Sequence, residues 1–155
     1  MAAPALRAAV AGVAAMLAAT SATASDDHVV VPGGTVEWSP GPASLEAGSE
    51  AAVLYGDPSA DGLFALRLKL PDGFRIAPHN HPRPEIVTVL SGTFLLGSGE
   101  DPDRAAAERL GAGSFFAFAP GMTHYAYAEG ETVIQLNSTG PWEIEYVNDE
   151  DDPRQ

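Results

Sequence analysis

A chain of 155 residues has the length of one domain, and with no cysteine it has no disulfide, no thiolate catalyst and no Cys-ligated zinc or iron–sulfur site. Its 21 acidic and 8 basic residues leave a net charge of −13, which repels phosphate backbones and anionic headgroups and argues against a nucleic-acid partner or a polybasic membrane contact. A hydrophobic fraction of 45% allows a packed core, and 16 Gly with 13 Pro favour a turn-rich β architecture over a helical bundle.

The chain opens with Arg7, continues through the uncharged Ala8–Thr20, and reaches the small-residue pattern Ala22-Thr23-Ala24. Charged start, apolar middle and Ala-x-Ala exit make residues 1–24 a cleaved secretory signal, so the destination is periplasmic or secreted. A membrane span or a buried helix is the competing reading, but the segment is short and alanine dominates it. One Lys against seven Arg is the usage of a GC-rich bacterial genome. After cleavage nothing else in the sequence calls for a membrane.

Residues 25–48 read as a Gly/Pro-punctuated arm with a short strand around Thr35–Trp38. The domain proper then runs over 49–148. Predicted strands are Ala51–Tyr55, Leu63–Leu70, Glu85–Leu90, Thr93–Leu96, Ser114–Ala119, His124–Ala128, Thr132–Asn137 and Trp142–Val147, each bounded by turn residues. Asp103–Arg109 is the only helical candidate. Short strands at this spacing, without a linker or repeat, predict a single all-β sandwich or barrel. In Trp142–Tyr146 the apolar residues share one face, and Glu143 and Glu145 form a solvated outer face rather than an acid–base pair. The tail 149–155 is acidic and solvated. Glu100, Asp101 and Asp103 lack calcium-loop spacing and read as a turn.

The histidines carry the functional information. His79 and His81 are separated by one residue, so in an extended chain both rings leave the same face and can grip one ion. Pro78, Pro82 and Pro84 stiffen that segment. Glu85 shares their parity at the head of a strand, and His124 follows the Pro120-Gly121 turn at the head of another. His28 lies just beyond the cleavage point and stands apart from the others.

The spacing Gly73-x5-His79-x-His81-x3-Glu85-x6-Gly92 resembles the first motif of the cupin superfamily without a gap. The second motif is matched at Gly113, Gly121 and His124; its proline is displaced by one, to Pro120, and Ala128 replaces its asparagine. The chain is similar to small single-domain bacterial cupins with an export signal. That resemblance implies a jelly-roll barrel holding one divalent transition metal (Fe, Mn, Zn, Ni, Co or Cu) on His79, His81, Glu85 and His124, with Glu85 also serving catalysis. Neutral imidazole and carboxylate discriminate poorly among these ions. Four protein ligands leave two positions of an octahedral shell open to water, a bidentate substrate or O₂, unlike a closed structural zinc site.

The expected function is that of an exported, metal-dependent oxidoreductase of dioxygenase type acting on a small organic molecule. The alternative is a non-catalytic periplasmic protein that binds a metal or a small ligand; a homodimer is compatible with either. Ala126 shares the face of His124 and leaves space there, while Val87 and Val89 share the face of Glu85. Phe74, Phe94, Phe115, Phe116 and Phe118 read as ordinary core. Gln135 and Asn137 are candidates for supporting hydrogen bonds, and Arg75 and Arg83 for carboxylate recognition, although exposed strand polarity and charge balance explain all four equally well.

Overall fold

A computed structural model describes residues 28–155. The segment read as a signal, and the start of the arm, lie outside the described residues. Nine strands follow one another: β1 (Ser39–Pro40), β2 (Glu50–Tyr55), β3 (Gly62–Leu70), β4 (Arg75–Asn80), β5 (Glu85–Ser98), β6 (Glu108–Gly111), β7 (Phe115–Phe118), β8 (His124–Gly140) and β9 (Glu145–Tyr146). The expected single all-β domain is what these residues form. Every strand pair is antiparallel.

The two long strands make the jelly roll. The second half of β8 pairs with β3 on one side and with the first half of β5 on the other, through Leu66↔Leu136 and Val87↔Leu136. Its first half pairs instead with β4 and with the second half of β5, through Ile76↔Ala126 and Leu96↔Ala126. One layer is thus β1-β2-β3-β8-β5-β7, and the other is β9-β4-β8-β5-β6. β5 and β8 run through both layers.

Each crosses at a glycine. Gly92 has φ 76° and Gly130 has φ 70°, and the β5–β8 register shifts around Ser91. The sequence suggests that Ser91-Gly92 and Glu129-Gly130-Glu131 end strands. They prove to be corners within continuous strands, because the ladder re-forms on the same partner beyond them. A Cβ on Gly92 would collide with the backbone of Glu131 and Thr132. Thr132 fills the corner: its hydroxyl accepts from Thr93 N–H at 3.2 Å and lies 3.1 Å from the carbonyl oxygens of Thr93 and Gly130.

Between the layers lie Phe64, Leu70, Phe74, Val87, Val89, Phe94, Ile134 and Leu136, all buried. Burying each large apolar side chain stabilises the fold by about 1.5–3 kcal/mol. Along β8 the even-numbered residues from Thr132 to Ser138 are buried and the odd ones half-exposed, the period-2 signature of one covered face.

Three expected elements move. The arm's strand is at Ser39–Pro40 rather than Thr35–Trp38, and Gly33–Thr35 is a 3-10 turn. Asp103–Arg109 is not helical: Asp103 caps a turn through its carboxylate to Ala105 N–H at 2.9 Å, and Glu108 already begins β6 against Leu96. Of Trp142–Val147, only Glu145 and Tyr146 hold a ladder, on Asn80 and His79. The alternation of that segment is nevertheless present, with Ile144 buried and Glu143 and Glu145 exposed.

Candidate metal centre

The site forms where β4 and β8 begin or end side by side. His79 lies opposite His124 in the β4–β8 ladder, and His81 follows one residue beyond the end of β4. Glu85 opens β5. All four residues are buried, with 2–8% of their surface exposed.

Local chain geometry explains why these residues meet. Ala119–Met122 is a turn closed by Met122 N–H on Ala119 C=O at 3.3 Å, with Gly121 at φ 78°. A type II turn wants proline at its second position and a positive φ at its third. Pro120 and Gly121 meet both demands, so the proline displaced from the cupin pattern sits where this turn needs it. Gly121 N–H then donates to His81 C=O at 2.9 Å, tying the turn before His124 to the first pair of histidines.

Each imidazole is oriented by a backbone carbonyl. His79 Nδ1 lies 2.7 Å from Ala77 O, His81 Nδ1 2.7 Å from Glu143 O, and His124 Nδ1 2.9 Å from Met122 O. A carbonyl only accepts, so each Nδ1 carries a proton, and in the neutral ring Nε2 then presents a lone pair. Two rings are also clamped by aromatic faces: Trp142 stacks on His81 at 4.1 Å between centroids, and Phe118 on His124 at 4.6 Å.

The lone pairs converge. The three histidines each offer a ligand atom within 4.8 Å of the others. Glu85 brings a carboxylate oxygen to 3.0 Å from His124 Nε2 and another to 3.7 Å from His81 Nε2. Among the described residues, His81 Nε2 and Glu85 Oε2 are buried polar atoms without a hydrogen-bond partner. Such atoms are costly unless something satisfies them. Acceptors facing acceptors in an apolar interior are satisfied by a cation, so the donor set fits a divalent metal.

Electrostatics point the same way. Burial pushes the His79 imidazole down to about 2, and the His124 and His81 rings add to the effect. His81 is also lowered, with burial outweighing the opposing pull of the Glu85 carboxylate. Neutral imidazole is the form that ligates a metal.

The remaining sequence candidates fall elsewhere. Gln135 and Asn137 lie on the odd, outer face of β8; Gln135 accepts from Arg67 Nε at 3.1 Å. Arg75 pairs with Asp151 at 3.1 Å, and Arg83 is half-exposed with no ion pair among the described residues. His28 is exposed. Phe74 and Phe94 are core, Phe116 lines the site, and Phe115 faces solvent. Trp142 and the three orienting carbonyls were not foreseen from the sequence.

The comparisons with known proteins fit this picture. The family described as "Domain of unknown function (DUF4437)" matches residues 14–145. The chain belongs to the DUF4437 family. Among curated proteins, this DUF4437 member is 37% identical over 99 residues to germin-like protein 3-1 of Oryza sativa subsp. japonica, a match covering 60% of this chain and 44% of that protein's length. Solved structures share the cupin fold. The acetylacetone dioxygenase of Acinetobacter johnsonii superposes with a TM-score of 0.61 at 18% identity, over 82% of this chain and 81% of that one. The polyketide cyclase RemF of Streptomyces resistomycificus gives 0.61 at 20% identity, over 81% and 89%. At these identities the likeness establishes the fold alone.

Proposed function

We propose that this DUF4437 member is an exported mononuclear metal protein in which His79, His81, His124 and Glu85 hold a divalent transition metal, and that it works as a dioxygenase-type oxidoreductase on a small organic molecule. The observation that carries the reading is the buried convergence of three imidazole ligand atoms with the Glu85 carboxylate beside two of them, and with His81 Nε2 and Glu85 Oε2 left without a hydrogen-bond partner. A divalent ion there would supply Lewis-acid and redox chemistry. The protein's own part is to keep His79 and His81 neutral, fix all three rings and exclude bulk water. Glu85 is the only carboxylate lining the cavity at the three histidines among the described residues, so a substrate proton there would pass to its carboxylate oxygens. The acetylacetone dioxygenase neighbour supports the reaction class by fold-level analogy only. Export is supported by Arg7, the apolar Ala8–Thr20 and Ala22-Thr23-Ala24.

The test is O₂ consumption by metal-loaded protein across enolic, phenolic and carboxylate substrates, repeated with Glu85→Gln at matched metal content. Turnover that falls with Glu85→Gln supports the reading. A second reading, a protein that only holds its metal or a ligand, is favoured by one observation: the cavity at the histidines has a volume of about 40 Å³. That is room for little more than an ion and a water or two. Stoichiometric ligand binding without turnover across the panel would establish it.

A further inference from the structure

The small inner cavity has a larger neighbour. A chamber of about 610 Å³ lies beside it, within the 300–1,000 Å³ range of small-molecule sites. Leu45, Leu68, Leu136, Trp142 and Ile144 line both. These five residues border both spaces, so the two adjoin, and Trp142 reaches the site itself by stacking on His81.

The chamber's outer wall is the arm. Ser39, Pro40, Pro42 and Ser44 line it, and β2, the ladder neighbour of β1, continues the lining through Ala51 and Val53. The arm is held in place from three directions: β1 pairs with β2, Leu45 is buried in the core, and Ser44 C=O accepts from the Tyr146 hydroxyl at 2.7 Å. Tyr146 in turn lies opposite His79 in the β4–β9 ladder. One chain of contacts therefore links the outer wall to a site histidine.

The chemistry of the lining is as informative as its size. Among the described residues no Arg, Lys or His lines the chamber, and Glu37 is its only charged residue. The inner cavity adds only the three histidines and Glu85. A carboxylate or phosphate in the chamber would be desolvated without a counter-charge. An uncharged hydrocarbon body would instead gain about 25 cal/mol for each Å² it buries.

We propose that the arm-walled chamber binds the body of the substrate while its head group reaches the inner cavity, so that the substrate is an uncharged, largely hydrocarbon molecule with one oxygen head group of enol or phenol type. The head-group clause rests on the metal reading above; the chamber clause does not. Arg75 and Arg83 play no part in this recognition, since neither lines either cavity.

The experiment uses isothermal titration of the full chain with 1-naphthol and, separately, with oxalate, in the zinc-loaded and chelator-stripped forms. Ser44→Trp fills the chamber from the arm and Val53→Trp from β2; Val53 is 54% exposed, so the second variant places its bulk where the fold tolerates it. The expected result is binding of one 1-naphthol, weakened at least about tenfold in both variants, with zinc content and circular dichroism unchanged. Stripping zinc should weaken it about fivefold or more, and in the stripped form oxalate should bind less tightly than 1-naphthol. Unchanged 1-naphthol affinity in a folded variant overturns the chamber, as does tighter binding of oxalate than of 1-naphthol by the chelator-stripped form. Affinity indifferent to zinc in a protein that does hold zinc overturns the link between the two cavities. A wild type that holds no zinc but loses 1-naphthol in the filled variants refutes the metal reading and leaves the chamber standing.

Discussion

Acid should unfold the metal-free protein through its histidines before it does so through its carboxylates. His79 has an ordinary value of 6.5 and is pushed down to about 2 in the folded state, chiefly by burial. Between those values the unfolded chain binds a proton that the folded chain refuses, so stability falls as pH falls below about 6.5. Each pH unit costs about 1.4 kcal/mol for one such histidine. From pH 7.5 to 4.5, His79 alone removes about 2–3 kcal/mol, a large share of a typical 5–15 kcal/mol. His81 is lowered as well and acts in the same direction. Protonation of surface acids relieves the repulsion of a chain with charge −13 and opposes the loss, so the total pH dependence mixes two signs. The difference between wild type and His79→Gln isolates the histidine. Urea unfolding of chelator-treated protein from about pH 7.5 to about pH 4.5 should show the wild type losing about 1.4 kcal/mol per unit more than the variant below pH 6.5. Parallel curves would mean that His79 takes up a proton in the folded state, and would refute the neutral, carbonyl-oriented imidazole from which the site is built.

Trp142→Ala should lower stability by about 2–3 kcal/mol, less than for a fully buried tryptophan because this one is half-buried, and urea midpoints report it. Its zinc content should persist, since Glu143 C=O still accepts from His81. Thr132→Val leaves Thr93 N–H without its side-chain acceptor at the corner and should cost about 1–3 kcal/mol by the same assay, without changing zinc stoichiometry. Protein recovered from its native cells should begin at Ser25 or within a residue or two of it; N-terminal sequencing that finds Met1 or Ala2 refutes export.

The candidate cluster was legible because two regularities coincide in it. Strand parity puts His79, His81 and Glu85 on one side, and the spacing from Gly73 to Gly92 matches a known pattern. His124 was legible despite the displaced proline, and the type II turn at Pro120-Gly121 explains why the displacement does no harm. The long strands were harder to see. Glycine at positive φ looks the same in a sequence whether it ends a strand or bends one, and only the re-formed β5–β8 ladder distinguishes the two. Splitting β8 at Gly130 also hides that Gln135 and Asn137 have the opposite parity to His124 and so face outward. β6 was hidden by Ala105-Ala106-Ala107, a helix-favouring run overridden by pairing with β5. The arm's role depends on long-range contacts of Leu45 and Ser44 that leave no local pattern. The carbonyls of Ala77, Met122 and Glu143 are backbone atoms, which no residue type announces.

The central claim is that three histidines and one glutamate form a single metal shell, and His124 is its most exacting member. The direct measurement is metal per chain, by mass spectrometry, on purified wild type, His124→Ala and His28→Ala, with circular dichroism beside it. Wild type and His28→Ala should each carry one ion, because His28 is exposed and stands apart from the cluster. His124→Ala should fold, since the apolar layers hold the jelly roll together, and should lose most of its metal. A folded His124→Ala that keeps full occupancy and affinity would contradict the shell and the function built on it.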